Sequence, residues 1–421
     1  MRDDTGIQPE SRMKMTRRRS QFSRSLVMAT RPAAIVLAAV LTLLPSRSFA
    51  DEDRALNAAL ADVCNRQIVL LGEEAAHGSG ESLAFKTELV TRLIQECGFD
   101  AVYFEASFYE FQHLNRKARR REPLSTADIG AAVGGLWARD QEFAPLLPIL
   151  LEGLQSGRLT LGGIDDQLGV AGARYANDAM MDEVVSHLQS VDRPMCRERL
   201  RRHVYSSYTV QQPYDTAQQA ALVECVSKVR AVLPAGSGSD GLTLAELDSI
   251  ERSLSRGLLT RTERFAARDR SMYENFSWMH RQLRSGARVI VWGATVHMAR
   301  DGRVAGVSGD APIFGEWIHQ NTDADVFSLG FAAAGGSYRR PGTADPVEIG
   351  PVSADALEGQ VLIDEAFSSI YLDKEKLARF GEIDAGVFYY EPVTANWGQI
   401  LDGLVVFREE RPPARIVATA R

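Results

Sequence analysis

Two short apolar runs joined by one amphipathic helix restrict this chain more than any other stretch. Gln67–Gly72 and Ala101–Glu105 are rich in β-branched and aromatic residues, and each has the length of one strand. Between them, from about Glu81 to Cys97, Phe85, Leu89, Val90, Leu93 and Ile94 fall on one helical face, and Gly98 ends the pattern. Strand, helix and strand in immediate succession make a βαβ unit, whose strands run parallel because the chain returns through the helix.

Five further runs carry the same signal: Leu159–Ile164, Val289–Trp292, Val326–Gly330, Val361–Ile363 and Gly386–Tyr390. Helical patterns alternate with them. The predicted fold is therefore α/β, with a mostly parallel central sheet flanked by helices. Between Val170 and Arg284 the pattern is almost wholly helical, broken near Gln211–Pro213 and by a Gly/Ser-rich loop at Pro234–Gly241. This stretch, about residues 170–285, reads as a large helical insertion over the α/β core of residues 51–421. No internal repeat is evident.

Residues 1–50 stand apart from that core. They hold nine Lys/Arg against three Asp/Glu, followed by an apolar run from Ala33 to Leu44 and the small-residue ending Ser48-Phe49-Ala50. The run is shorter than the roughly 20 apolar residues of a membrane helix, so the segment reads as a signal peptide cleaved after Ala50. Arg18-Arg19 hints at twin-arginine export, but Ser20-Gln21-Phe22 fits that pattern poorly. The expected location is the periplasm or the medium. Cleavage would take the formal net charge from −7 to −13, and a surface that acidic argues against nucleic acid or an anionic membrane as a partner. The sequence does not give an oligomeric state. All four cysteines lie outside the leader and none has CxxC spacing. Cys64 with Cys97, and Cys196 with Cys225, are the expected disulfides in an oxidising compartment; the first pairing assumes that the strands after Cys64 and Cys97 are parallel neighbours.

The chemistry gathers where strands end. Ile68-Val69-Leu70-Leu71 runs into Gly72-Glu73-Glu74-Ala75-Ala76-His77-Gly78-Ser79-Gly80, so a short loop presents carboxylates and an imidazole at the carboxyl end of a strand, where open α/β sheets bind ligands. Ala101–Phe104 is apolar until Glu105, and a glutamate ending a buried strand requires a partner. Lys86 shares a helical stripe with Val90, Leu93 and Cys97, so a Lys86–Glu105 pair is expected. Val289–Trp292 delivers His297 just past its end, and Ile164 is followed by Asp165, Asp166 and Gln167.

Taken together these segments resemble the erythromycin-esterase-like family. Glu74-Ala75-Ala76-His77-Gly78 is similar to its Glu-x-x-His-Gly core, with one extra residue after Gly72; Lys86 falls at its basic helical position, and Gly98-Phe99 leads to Glu105-Ala106. Gly163-Ile164-Asp165-Asp166-Gln167 resembles its Gly-Phe-Asp-x-Gln, and Arg268-Asp269-Arg270-Ser271-Met272-Tyr273-Glu274-Asn275 its Arg-Asp-x-x-Met-x-x-Asn helix. The Trp292 strand resembles Trp-Ala-His-Asn-x-His, but Ala294 stands where the family has its first histidine.

The resemblance implies hydrolysis of a carboxylic ester or lactone, macrolides included, with no cofactor. His77 would be the general base, Glu74 its carboxylate partner, Lys86 and His297 the stabilisers of the oxyanion or donors to the leaving alcohol, and Glu105 the residue that holds Lys86 or the water. Asp165, Asp166 and Gln167 would contact substrate. No Gly-x-Ser-x-Gly elbow argues for a serine nucleophile. Two alternatives stand beside this one. Glu74, His77, Glu105 and His297 are also respectable ligands for a divalent metal, and Ala294 leaves open a binding protein without catalysis.

Overall fold

The computed structural model describes residues 49–169, 172–233, 241–341, 343, 345–364 and 367–416; the predicted leader falls almost entirely outside them. The centre is a seven-stranded sheet of β1 (Ile68–Leu71), β2 (Ala101–Ser107), β3 (Thr160–Asp165), β4 (Val289–Trp292), β5 (Val326–Ala333), β6 (Ser369–Asp373) and β7 (Gly403–Phe407), in the order β3-β2-β4-β1-β5-β7-β6. Six strands are parallel and β6 alone is antiparallel, at the edge beside β7. The expected α/β class and its mostly parallel sheet are thus present.

Strand parity divides the core. Val69, Leu71, Val102, Phe104, Ile290 and Trp292 point to one side, while Ile68, Leu70, Ala101, Tyr103, Val289 and Val291 point to the other, and all are buried. Burial on both faces is why these strands read as unbroken apolar runs instead of alternating ones. α2 (Gly80–Gln95) covers the first face with Leu83, Leu89, Val90 and Leu93. The opposite face is covered by the helical region predicted for residues 170–285, where the described residues form five α-helices, from Met180–Ser186 through α3 (Arg261–His280). Removing one such Leu to Ala would cost about 2–5 kcal/mol, the lost transfer energy plus the cavity left behind.

Two predicted strands are not strands. Val361 ends a short helix, Leu357–Val361, and Gly386–Tyr390 is a turn whose Val387 and Phe388 are buried. Apolar character there reflects burial of a loop, which the hydrophobic run cannot distinguish from burial of a strand. The places those runs were expected to fill belong to β6 and β7. Both expected disulfides are present, Cys64–Cys97 and Cys196–Cys225. The premise for the first needs correction: β4 lies between β1 and β2, and the bridge joins the carboxyl ends of α1 (Phe49–Val63) and α2. No described helix is long and apolar enough to cross a membrane.

Candidate active site

Because β3, β2, β4 and β1 are parallel and adjacent, their carboxyl ends set Asp165, Glu105, Ala294 and Glu73 along one rim. The loop after β1 is built around Glu74. Its carboxylate accepts from the Ala76 N–H at 2.6 Å and the Gly78 N–H at 2.7 Å, closing a tight turn that holds His77 in the left-handed region at φ 57°. A residue with a Cβ pays about 1–3 kcal/mol for that conformation, so the two bonds offset strain that presents the imidazole. Gly78 is required by contact: a Cβ there would stand 1.7 Å from the Arg339 carbonyl oxygen. Burial pushes the Glu74 carboxyl up to about 7 against those two amide bonds.

Glu73, and not Glu74, is the partner of the imidazole. Its Oε1 lies 2.8 Å from His77 Nδ1 and accepts from Trp137 Nε1 at 2.7 Å, while Oε2 meets Lys86 Nζ at 3.3 Å. Burial opposes a charged His77, but Glu73, Glu105 and Glu74 outweigh it and raise the imidazole above its ordinary value. With Nδ1 committed to Glu73, Nε2 is the nitrogen left for the cleft. Lys86 is wholly buried over the Trp292 ring, 4.3 Å from its centroid, and burial brings it down to about 8 despite Glu73. The expected Lys86–Glu105 pair is therefore replaced by Lys86–Glu73: the lysine reaches the carboxylate of the loop that joins β1 to its own helix.

Glu105 faces a different cation. Arg268, from α3, donates to Glu105 Oε1 at 2.8 Å and to Asp165 Oδ2 at 2.8 Å, and its Nη1 lies 3.0 Å from His297 Nε2. His297 sits on the one-turn helix Thr295–Met298, with Nδ1 2.7 Å from Asp269 Oδ1 and its ring stacked on Phe265 at 4.8 Å. Glu105 Oε2 accepts from the Ala294 N–H at 2.9 Å. Burial alone would raise the Glu105 carboxyl, yet the charges of His297 and Arg268 hold it well below the usual carboxylate range.

Of the expected site residues, His77, Glu105, His297, Asp165 and Gln167 line one cleft of about 790 Å³, together with Arg268. Asp166 does not. Consecutive strand-end residues face opposite ways, and Asp166 turns into the core, where Arg256 grips it and Ser271 donates to it. Glu74 and Lys86 stand behind the cleft wall as supports. Glu73, Trp137 and Arg268 have no assigned role in the sequence; Arg268 and Asp269 form a visible helical motif, but the contacts of Arg268 with Glu105 and Asp165 cross more than a hundred residues. Among the described residues no group of three or more His, Cys, Asp or Glu is arranged to hold a metal ion. Both oxygens of Glu74 are spent on loop amides, and the cation amid the other acids is the Arg268 guanidinium.

A cleft at a parallel-sheet rim, with two imidazoles braced by carboxylates and one arginine among them, is suited to activating water against a polarised carbonyl. Among solved structures the chain superposes on a Bacillus cereus protein (TM-score 0.63, 17% identity, 87% of this chain and 95% of that one) and on a succinoglycan biosynthesis protein (TM-score 0.64, 14% identity, 85% and 91%). It also superposes on a mutant of the erythromycin esterase EreC in its open conformation (TM-score 0.60, 17% identity, 86% and 95%). The putative hydrolase YbfO of Bacillus subtilis (strain 168) is 21% identical over 298 residues, 65% of this chain and 66% of that protein, just short of two thirds of its length. The family model for erythromycin esterase matches residues 94–409, a span that holds Glu105, Arg268 and His297 and begins after His77. On that match, which covers well over half of its residues, the chain belongs to the erythromycin esterase family.

Proposed function

We propose that this protein is a hydrolase that cleaves a carboxylic ester or lactone with water activated by His77. The observation that carries the reading is the His77 Nδ1–Glu73 contact of 2.8 Å beside a cleft that also presents Arg268 and His297. Glu73 fixes the Nδ1–H tautomer, so Nε2 takes a proton from water. The hydroxide oxygen adds to the substrate carbonyl, and the charge that develops on the carbonyl oxygen is met by Arg268. Collapse breaks the carbon–oxygen bond, and the alkoxide takes the proton held by His77. Water and ester become acid and alcohol, and the enzyme is returned unchanged.

Lys86 pairs with Glu73 instead of touching substrate, and His297 orients Arg268. Macrocyclic lactones enter as candidate substrates through the family, and the two disulfides support an exported location. A panel of aryl esters, aliphatic lactones and macrolides, assayed with wild type, His77→Ala and Ala294→His, tests the reading. Hydrolysis should fall about 100- to 10,000-fold in His77→Ala, the usual worth of a general base. Equal turnover in wild type and His77→Ala would overturn it. Activity in Ala294→His alone would mark the natural chain as a binding protein. Loss of activity on chelation, with recovery on adding zinc or magnesium, would replace the water-activation step with a metal-dependent one.

A further inference from the structure

Beyond the rim, the cleft has a strongly one-signed wall. Arg139, Arg339 and Arg415 line it, and they come from three separate parts of the chain. Asp140 and Arg415 form an antiparallel bridge, and the Ile416 N–H donates to the Arg139 carbonyl at 2.8 Å, so these two segments are fastened together. The Arg339 N–H donates to the Gly78 carbonyl at 2.9 Å, which sets this arginine directly beside the His77 loop.

One carboxylate serves two of the three guanidinium groups. Buried Asp140 lies 2.9 Å from Arg415 Nη1 and 3.6 Å from Arg339 Nη1. Among the described residues no carboxylate pairs with Arg139, and Arg339 Nη1 is buried with no hydrogen-bond acceptor. The wall thus carries about two uncompensated positive charges in a chain whose formal net charge is −7. Arg339 Nη2 also donates to the Pro413 carbonyl and so helps to pin the C-terminal segment, but the exposed Arg139 side chain makes no such contact among the described residues. A concave wall of one sign in a protein of the other focuses its field on small ions of opposite charge, and planar guanidinium groups match oxyanions in pairs of hydrogen bonds.

We propose that the cleft recognises an ester or lactone bearing an oxyanion, a carboxylate or a phosphate, held by Arg139, Arg339 and Arg415 while its acyl carbon meets the water at His77. The proposal rests on the hydrolase reading for the scissile group, and on the arginine wall alone for the charge.

The test uses 4-nitrophenyl esters of equal acyl length ending in a carboxylate (the hemiglutarate), a phosphate, a methyl ester or an ammonium group. The kcat/KM of one of the two anionic esters should exceed that of the neutral one by about tenfold or more, and the better of the two names the oxyanion. Added salt should shrink that ratio, and Arg139→Gln, at an exposed position, should bring it near one, with Arg415→Gln as the second variant. Calorimetric titration with glutarate and with inorganic phosphate reads the wall without turnover. Binding that is lost in Arg139→Gln, with no ester cleaved, would retain the anion site and remove the hydrolase reading. Equal cleavage of neutral and anionic esters, or a preference for the ammonium ester, with a ratio unmoved by Arg139→Gln, would overturn the proposal and leave the hydrolase reading standing.

Discussion

The two imidazoles of the cleft are held in opposite ways. His77 rides on a strained loop, with one nitrogen on Glu73 and the other left to the cleft. His297 stands on regular structure with both nitrogens engaged, Nδ1 at Asp269 and Nε2 between Arg268 and Glu105. A group that must exchange protons with water needs a vacant nitrogen and a partner that raises its basicity, whereas a group that must stay put needs neither. Histidine count at a rim therefore says little; which nitrogens are already spent separates the reagent from the frame.

The sharpest way to break this comparison is to remove the cation from the frame. Arg268→Ala leaves Glu105 and Asp165 buried without it, and should cost about 3–5 kcal/mol in a denaturant melt together with activity on any substrate. A loss no larger than that of a surface substitution would mean that the His297 side is not braced as described.

Next in size is Glu73→Gln, which should reduce kcat by about tenfold or more and move the pH dependence. His77 is raised in the folded protein chiefly by Glu73, against burial, so the limb of the rate profile that reports deprotonation of His77 should shift to lower pH in the variant. The same pairing is linked to stability. A histidine raised on folding contributes fully below its unfolded value near 6.5, and the contribution disappears as pH climbs through the folded value. The stability gap between wild type and Glu73→Gln should narrow above pH 7 without closing, since Lys86 stays unpaired in the variant. An unmoved limb would hand the tautomer to some other group.

The smallest effect sharpens the comparison instead of breaking it. Asp166→Asn lies off the cleft, in the Arg256–Ser271 network, and should lower the melting midpoint with KM unchanged within about twofold, whereas Asp165→Asn should alter KM. A matching change in KM at Asp166 would mean that this carboxylate reaches substrate after all.

How much of this could be read in advance depends on the kind of contact. β1, α2 and β2 were legible because strands covered on both sides leave an unbroken apolar record, and a helix on a sheet leaves a 3.6-residue stripe. β7 leaves the same record at Leu404–Phe407, but so does Gly386–Tyr390, a turn whose Phe388 carbonyl accepts from the Ala75 N–H. Period and polarity report burial, and burial of a turn looks like burial of a strand. Within the site, the rim positions of His77, Glu105 and His297 followed from strand ends alone. The choice of Glu73 over Glu74 did not, because a tight turn reverses side-chain direction within one residue and sequence carries no record of that reversal. Asp165 and Asp166 were separable in principle by strand parity. Arg268 was visible as a motif, but its job was set by where α3 packs against β3.

The last described stretch of the chain, Glu410 to Ile416, returns to lie against Arg139 and Gln141, and its Pro413 and Arg415 face the cleft. The sheet itself is complete at Phe407. The sheet and this bank of the cleft are consequently separable: a chain stopped after Phe407 would keep every described strand of the sheet and have a hollow with one bank missing.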